Sequence, residues 1–550
     1  MNYKNILSTT LLCGAFLHFA SAQSMPPMPS PMDAPKNWHQ MDYDKDGYYG
    51  ISLNQAYDFV KGKKSKTVLV ATIDSGCDTL QKDLQGIIWV NPKDSPNNNK
   101  DDDHDGYVND VHGWNFLGGP GGKCDIDETS EEVREYARLK PKYGDLTQAP
   151  AGDEKGYTYW LGVKAKHDTT VTHATAELQG LQQTMGFLMI TNGYIKKALH
   201  LGPNDTFTTK DLAKIDTKDS SKPGIDTLKN AIFGWNYVLS AEGDGATNLK
   251  VIDDINESIE KDNNDINPEL GNRKNIVGDD PNVWSSNYGN NLVTFPDASH
   301  GTGVAGLIGA KRGNGYGIDG VADNVRIIVI KAVPKGDEYD KDIANAIFFA
   351  VNHGAKVINM SFGKKISPHK NWVDSAVRYA AAHDVLLVHA SGNDNEDMDA
   401  VTEYPNAHYL DGTTADNFLE VGASAWKKDT TMAAYFSNYG QKNVDVFAPG
   451  LHVTSIDLNA EFNTADGTSF STPIVTGIAA LILEYYPKLS AIQVKEAIMQ
   501  SVTPLKGLMV YKPGTRDLVD FTTLSKTGGI VNAYRALEIA SKMKGERKRD

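Results

Sequence analysis

From Thr67 onward the chain alternates between short apolar runs and stretches with helical spacing. "TVLVATI" (67–73) is a run of mostly β-branched residues ending at Asp74, the pattern of a strand covered on both faces. The same texture returns in "VRIIVIKAV" (325–333), "AKVINMSFG" (355–363), "VLLVHASGN" (385–393), "FLEVGASA" (418–425) and "VDVFAPG" (444–450). Amphipathic helical patterns stand between them: "KDIANAIFFAVNHG" (341–354), stopped by Gly354, and "NWVDSAVRYAAAHD" (371–384). A capping-box pairing of Ser490 with Gln493 predicts another helix over "SAIQVKEAIMQS" (490–501). Strand and helix in turn, with continuous apolar strands, predict an α/β fold whose mostly parallel central sheet carries helices on both faces.

Between Cys124 and Asn290 the alternation breaks. Helix-like pieces such as "ETSEEVREYARL", "VTHATAELQGLQQTMGFLMI", "GIDTLKNAIFGWNYVLS" and "IDDINESIEK" are joined by polar, Gly/Pro/Asp-rich links. The reading is a mostly helical insertion over 124–290 that divides one α/β domain into 67–123 and 291–540. Residues 23–66 form an N-terminal leader segment, loose and rich in Pro, Met and Ser over 23–40. Residues 541–550 are a basic tail, and no repeat of fixed period is present.

Composition narrows the class. The 550 residues carry 55 basic and 70 acidic side chains, a net charge of −15. That balance argues against a broad surface for nucleic acid or anionic membrane. The opening "MNYKNILSTTLLCGAFLHFASAQ" has a lysine, an apolar stretch and Ala20-Ser21-Ala22, the pattern of a signal peptide over 1–22 with cleavage before Gln23. No later segment is long enough to span a bilayer, so the expected product is exported, periplasmic or extracellular, with no membrane anchor. Cys77 and Cys124 remain after cleavage, either paired in an oxidising compartment or as two buried thiols.

Three polar positions stand where reactive groups collect in parallel sheets, at strand ends and helix starts. Asp74 closes the first buried strand in "ATIDSG". His300 opens the Gly-rich helical pattern of "SHGTGVAGLIGA" (299–310), a better setting for acid/base work than an isolated histidine has. Ser469 lies in "DGTSFSTPIVTGIAALIL" (466–483), at the mouth of a long apolar helix. Taken singly, each has a plain reading as a turn, a structural histidine or a helix cap. Together, "IDSG", "HGTGVAG" and "GTSFSTP" occur in the order Asp, His, Ser, and the sequence resembles the subtilisin-like serine peptidases, the subtilase family.

The resemblance implies a serine endopeptidase working through an acyl-enzyme, with peptides or proteins as substrates. Ser469 would be the nucleophile, His300 the general base and acid, and Asp74 the group that orients the imidazole. "HASGNDN" (389–395) matches the family's oxyanion segment and makes Asn393 the side-chain donor. Ser361, Phe362 and Gly363 would form one substrate wall by pairing with an extended peptide, and Ala390, Ser391 and Gly392 the facing one. The acidic run "NDNEDMDAVTE" (393–403) has two readings, a solvated charge run or a selector for basic peptides. "DDDHDGYVND" (101–110) resembles the family's calcium loops, with Asp101, Asp103, Asp105, Asp110 and the Tyr107 carbonyl as ligands for structural Ca2+. "DYDKDGYYG" (42–50) lacks later acidic residues, and no metal is expected there.

The chain departs from the family in one respect above all: His300 follows Asp74 by 226 positions, a gap that the insertion fills. Two other readings stay open. One is a narrow processing peptidase or transpeptidase with the same nucleophile; the other is a silent peptide-binding module.

Overall fold

The computed structural model describes residues 34–547 apart from 97, 220, 222, 243–245 and 269. The expected signal peptide, the first part of the leader and the end of the basic tail lie outside the described residues. Seven strands build the core sheet: β1 (Val68–Asp74), β2 (Gly113–Asn115), β3 (Val325–Lys331), β4 (Val357–Met360), β5 (Leu386–Ala390), β6 (Phe418–Ser424) and β7 (Val446–Pro449). They lie in the order β7-β6-β5-β4-β1-β3-β2, every pairing parallel. Gly529–Ile530 adds in parallel beside β7, and Thr503–Pro504 closes that edge in antiparallel. The fold is the expected α/β class. Because the order turns back at β1, the carboxyl ends of β1 and β4 flank the crevice where such sheets place their reactive groups.

Both faces of the sheet are buried, which is why its strands read as unbroken apolar runs. Alternate residues of β1 go to opposite sides: Val68 and Val70 into one core, Ala71 and Ile73 into the other. On the first side lie α1 (Ser299–Gly309) and α4 (Thr468–Tyr485), burying Val304, Ile308, Ile474, Ile478 and Leu481. On the second, α2 (Asp340–Asn352) and α3 (Lys370–Ala382) bury Ile343, Ile347, Val373 and Val377. The helix over Ala491–Ser501 begins with both bonds of the capping box, Ser490 to Gln493 and back. No helix among the described residues is long and apolar enough to cross a membrane.

Residues 34–131 and 270–547 make one compact unit, and residues 132–268 another. The second is helical. Glu154–Ala198, Ile225–Glu242 and Asn248–Ile266 bury Leu188, Ile195, Trp235, Leu239, Val251 and Ile255 in a core of their own. The flanks of the stretch read as an insertion belong to the sheet unit, and a buried ion network explains why. Arg273 donates to Asp342 of α2 at 2.6 and 2.8 Å and to Asp279 at 3.1 Å, and Lys341 donates to Asp279 at 2.5 Å.

Residues 34–66, set apart above as a leader, pack into the main core. The helix Leu53–Val60 buries Leu53, Ala56 and Val60, an amphipathic spacing. Trp38 is fully buried, its indole N–H donating to the His452 carbonyl at 3.1 Å.

Candidate active site

Asp74 stands at the carboxyl end of β1, 2% exposed, and its Oδ1 accepts the Ser75 N–H at 2.8 Å. The same oxygen accepts Nδ1–H of His300 at 2.7 Å, which leaves Nε2 of the half-exposed ring as the basic nitrogen. Withdrawal from water disfavours the imidazolium, but the Asp74 charge and hydrogen bond outweigh it and hold the His300 pKa above its ordinary 6.5. Gly301 makes this approach possible. A Cβ there would lie 2.0 Å from the Gly76 carbonyl oxygen and 3.2 Å from Asp74 Cβ, so only glycine lets α1 close on the end of β1.

Ser469 is the second residue of α4, half-buried, and the imidazole of His300 packs edge-on to Phe470 with ring centres 5.8 Å apart. Asp74, His300 and the first turn of α4 thus meet at one place. The Ser469 hydroxyl itself donates to the Ser361 carbonyl at 3.3 Å and makes no hydrogen bond to His300. Asn393 reaches the same turn from the end of β5. Its Oδ1 accepts the Thr468 N–H at 2.9 Å and the Thr468 hydroxyl at 3.0 Å, which points the amide NH2 away from Thr468. A Cβ built on Gly467 would sit 3.6 Å from Ser469 N and 3.7 Å from Asn393 Nδ2, so both donors face one small space. The first turn of a helix leaves N–H groups unpaired and positive, suited to an oxygen that gains charge.

Two backbone runs are tied to this turn. Ser361 donates its hydroxyl to the Ser469 carbonyl at 2.9 Å, and Gly392 donates its N–H to Thr468 Oγ1 at 3.2 Å. From there Phe362 is half-buried and Gly363 exposed; across from them Ala390 and Ser391 are buried, and Ser391 accepts from Asn438 Nδ2 at 2.8 Å.

The acidic loop after β1 divides into clusters. Ligand oxygens of Asp94, Asp101 and Asp103 lie within 4.8 Å of one another, as do donor atoms of Asp103, Asp105 and His353. Asp103 Oδ1 is buried with no hydrogen-bond partner, and burial with the nearby Asp105 charge pushes its carboxyl up. That oxygen-only grouping of Asp94, Asp101 and Asp103 fits a hard divalent cation. Asp110 is in neither group: it accepts from Asn91 at 2.6 Å and pairs with His353 at 3.0 Å, where His353 also meets Asp105 at 2.9 Å. The Tyr107 ring packs among Trp114, Phe116 and Phe349. Cys77 and Cys124 are both free thiols; burial pushes Cys77 up to about 12 and Cys124 to about 11, so neither is a ready nucleophile.

Sequence reasoning passed over several residues that hold the site. Lys331, fully buried at the end of β3, donates to the Ser75 carbonyl at 2.7 Å and to Asp297 at 2.5 Å, bracing the turn after Asp74. His389 bridges Glu420 and the Phe362 carbonyl, each at 2.8 Å, and so fixes one wall from behind. A lone Lys or His inside an apolar strand was the available signal. Asp94 carried none, and Glu403 stood out only as the last member of the acidic run 393–403, since each finds its place through loops.

A family model described as the subtilase family matches residues 245–528. The chain is 35% identical over 214 residues to a thermophilic serine proteinase of Bacillus sp. strain AK1, covering 39% of this chain and 49% of that protein. Over 216 residues it is 33% identical to subtilisin Savinase of Lederbergia lenta, covering 39% of this chain and 74% of that protein. The chain spans about half or less of the length of the first curated relatives it matches. Among solved structures, prenylagaramide maturation protease PagA aligns with a TM-score of 0.36 and 28% identity, covering 44% of this chain and 82% of that one.

Proposed function

Because the chain belongs to the subtilase family of serine peptidases, we propose that it is an exported serine endopeptidase that cleaves peptide bonds through an acyl-enzyme on Ser469. The observation that carries this reading is the 2.7 Å bond from His300 to a buried Asp74 beside the first turn of α4. In the cycle, the Ser469 hydroxyl turns from Ser361 to Nε2 of His300, which takes its proton as oxygen attacks the scissile carbonyl. Asp74 keeps the other nitrogen protonated and stabilises the imidazolium, which then protonates the leaving amine. The developing oxyanion draws on Ser469 N–H and the amide of Asn393. An extended substrate lies between Ser361–Gly363 and Ala390–Gly392, and water releases the acyl group by the same steps in reverse.

Calcium belongs to the proposal as a structural ion. Asp94, Asp101 and Asp103 would hold it, relieving the repulsion among their carboxylates and pinning the loop after β1; it takes no part in the chemistry.

Labelling of the full chain with a fluorophosphonate tests the reading. Stoichiometric labelling that disappears in Ser469→Ala is the expected result, together with hydrolysis of an unstructured protein substrate. A folded wild-type chain that takes no label would leave the silent peptide-binding module in its place.

A further inference from the structure

The two glycines that face each other across the proposed substrate slot have a common neighbour. A Cβ built on Gly363 would lie 3.8 Å from Glu403 Oε2, and one on Gly392 only 2.5 Å from it. At their other ends both walls are bonded to α4, through Ser361 to Ser469 and through Gly392 to Thr468. A slot that opens beside the nucleophile therefore ends on a carboxylate. Gly392 has a φ of +100°, and a Cβ there would also meet Asn438 Nδ2 at 2.3 Å, so only glycine fits beside that carboxylate.

Glu403 is 6% exposed. Its Oε1 accepts Lys365 Nζ at 2.6 Å, while Oε2, the atom facing the glycines, takes no hydrogen bond among the described residues. Lys365 is shared with Asp394 at 3.1 Å and Glu396 at 2.5 Å, so one ammonium serves three carboxylates. Burial pushes the Glu403 carboxyl up despite Lys365, and the charge of Asp394 adds to the push. A carboxylate oxygen that takes no hydrogen bond and lies against the two glycines is stabilised by a cation entering from the slot.

We propose that Glu403 sets substrate specificity, its Oε2 receiving the ammonium or guanidinium of a lysine or arginine directly before the scissile bond. The proposal rests on the peptidase reading above, and it turns the acidic run 393–403 from a solvated surface into the floor of a subsite. The slot recognises charge at its end and leaves the apolar stem of the side chain between the two glycine-bearing walls.

The test uses the full chain and peptides that differ only at the residue before the cut: arginine, lysine, citrulline, leucine or glutamate. Citrulline keeps the shape of arginine and removes its charge. The expected kcat/KM for arginine exceeds that for citrulline by roughly 10- to 100-fold, the usual worth of a charge-assisted hydrogen bond. Glutamate is the poorest substrate. In Glu403→Gln, its fold checked by circular dichroism, the arginine-to-citrulline ratio falls toward one. Equal rates for arginine and citrulline in the wild type overturn the proposal without any variant, and so does a ratio that survives in E403Q. Leucine cleaved best by a chain that takes the fluorophosphonate overturns this inference alone. A chain that neither takes the label nor cleaves any peptide overturns the peptidase reading and this one with it.

Discussion

At Asn393 the carbonyl oxygen is committed to Thr468 while the amide faces the space shared with Ser469 N–H. Asn393→Asp therefore separates two tasks, because a carboxylate still accepts from Thr468 but donates nothing to the oxyanion. Turnover is expected to fall by about 100-fold or more with little change in KM, read from steady-state kinetics on one peptide. His300 makes a prediction about pH. A general base works only when neutral, and the raised pKa keeps the ring protonated to a higher pH. The acid limb of kcat/KM should thus be centred above pH 6.5, activity falling as pH drops through it. Asp74→Asn removes the charge that raises it, so the limb moves to lower pH and the plateau drops. A wild-type limb below 6.5 contradicts the assignment.

Between elements, what counts is the closeness of α1 to the end of β1. Gly301→Ala puts a methyl group against the Gly76 carbonyl, and the helix has to back away, carrying His300 with it. A displacement of about 1 Å in such a constellation costs on the order of 100-fold in rate. Kinetics should show that loss while circular dichroism shows the helices intact; unchanged kcat/KM would mean the helix tolerates the shift. The same elements show how far the chain could be read in advance. β1 and β3 to β7 announced themselves because burial on both faces demands unbroken apolar runs. β2 did not, since Gly113–Asn115 offers only three residues to a pattern. Asp74, His300 and Ser469 were legible from their motifs, each at an element end. Lys365 and His389 were not, and Glu403 only as part of an acidic run with two readings, because their partners lie on other strands and loops, and only the folded chain joins them.

For the whole molecule, the proposed ion would link the acidic loop to stability. A cation held by Asp94, Asp101 and Asp103 and bound only to the folded state adds about 2.7 kcal/mol at a concentration 100 times its Kd. Chelation should lower the thermal midpoint and calcium restore it, whereas Asp103→Asn should remove the response; a midpoint indifferent to chelator counts against the ion. The helical unit over 132–268 has a separate core and interrupts the chain between Asp74 and His300, so the pair that meets at 2.7 Å is joined through space and not by local sequence. The stretch before β1 is of another kind. Trp38, Ile51, Leu53, Ala56 and Val60 share one interior with Ile474 and Ile478 of the helix that bears Ser469. A piece walled in so deeply is no detachable stopper. Cutting it away would open that shared interior and loosen the helix that carries Ser469.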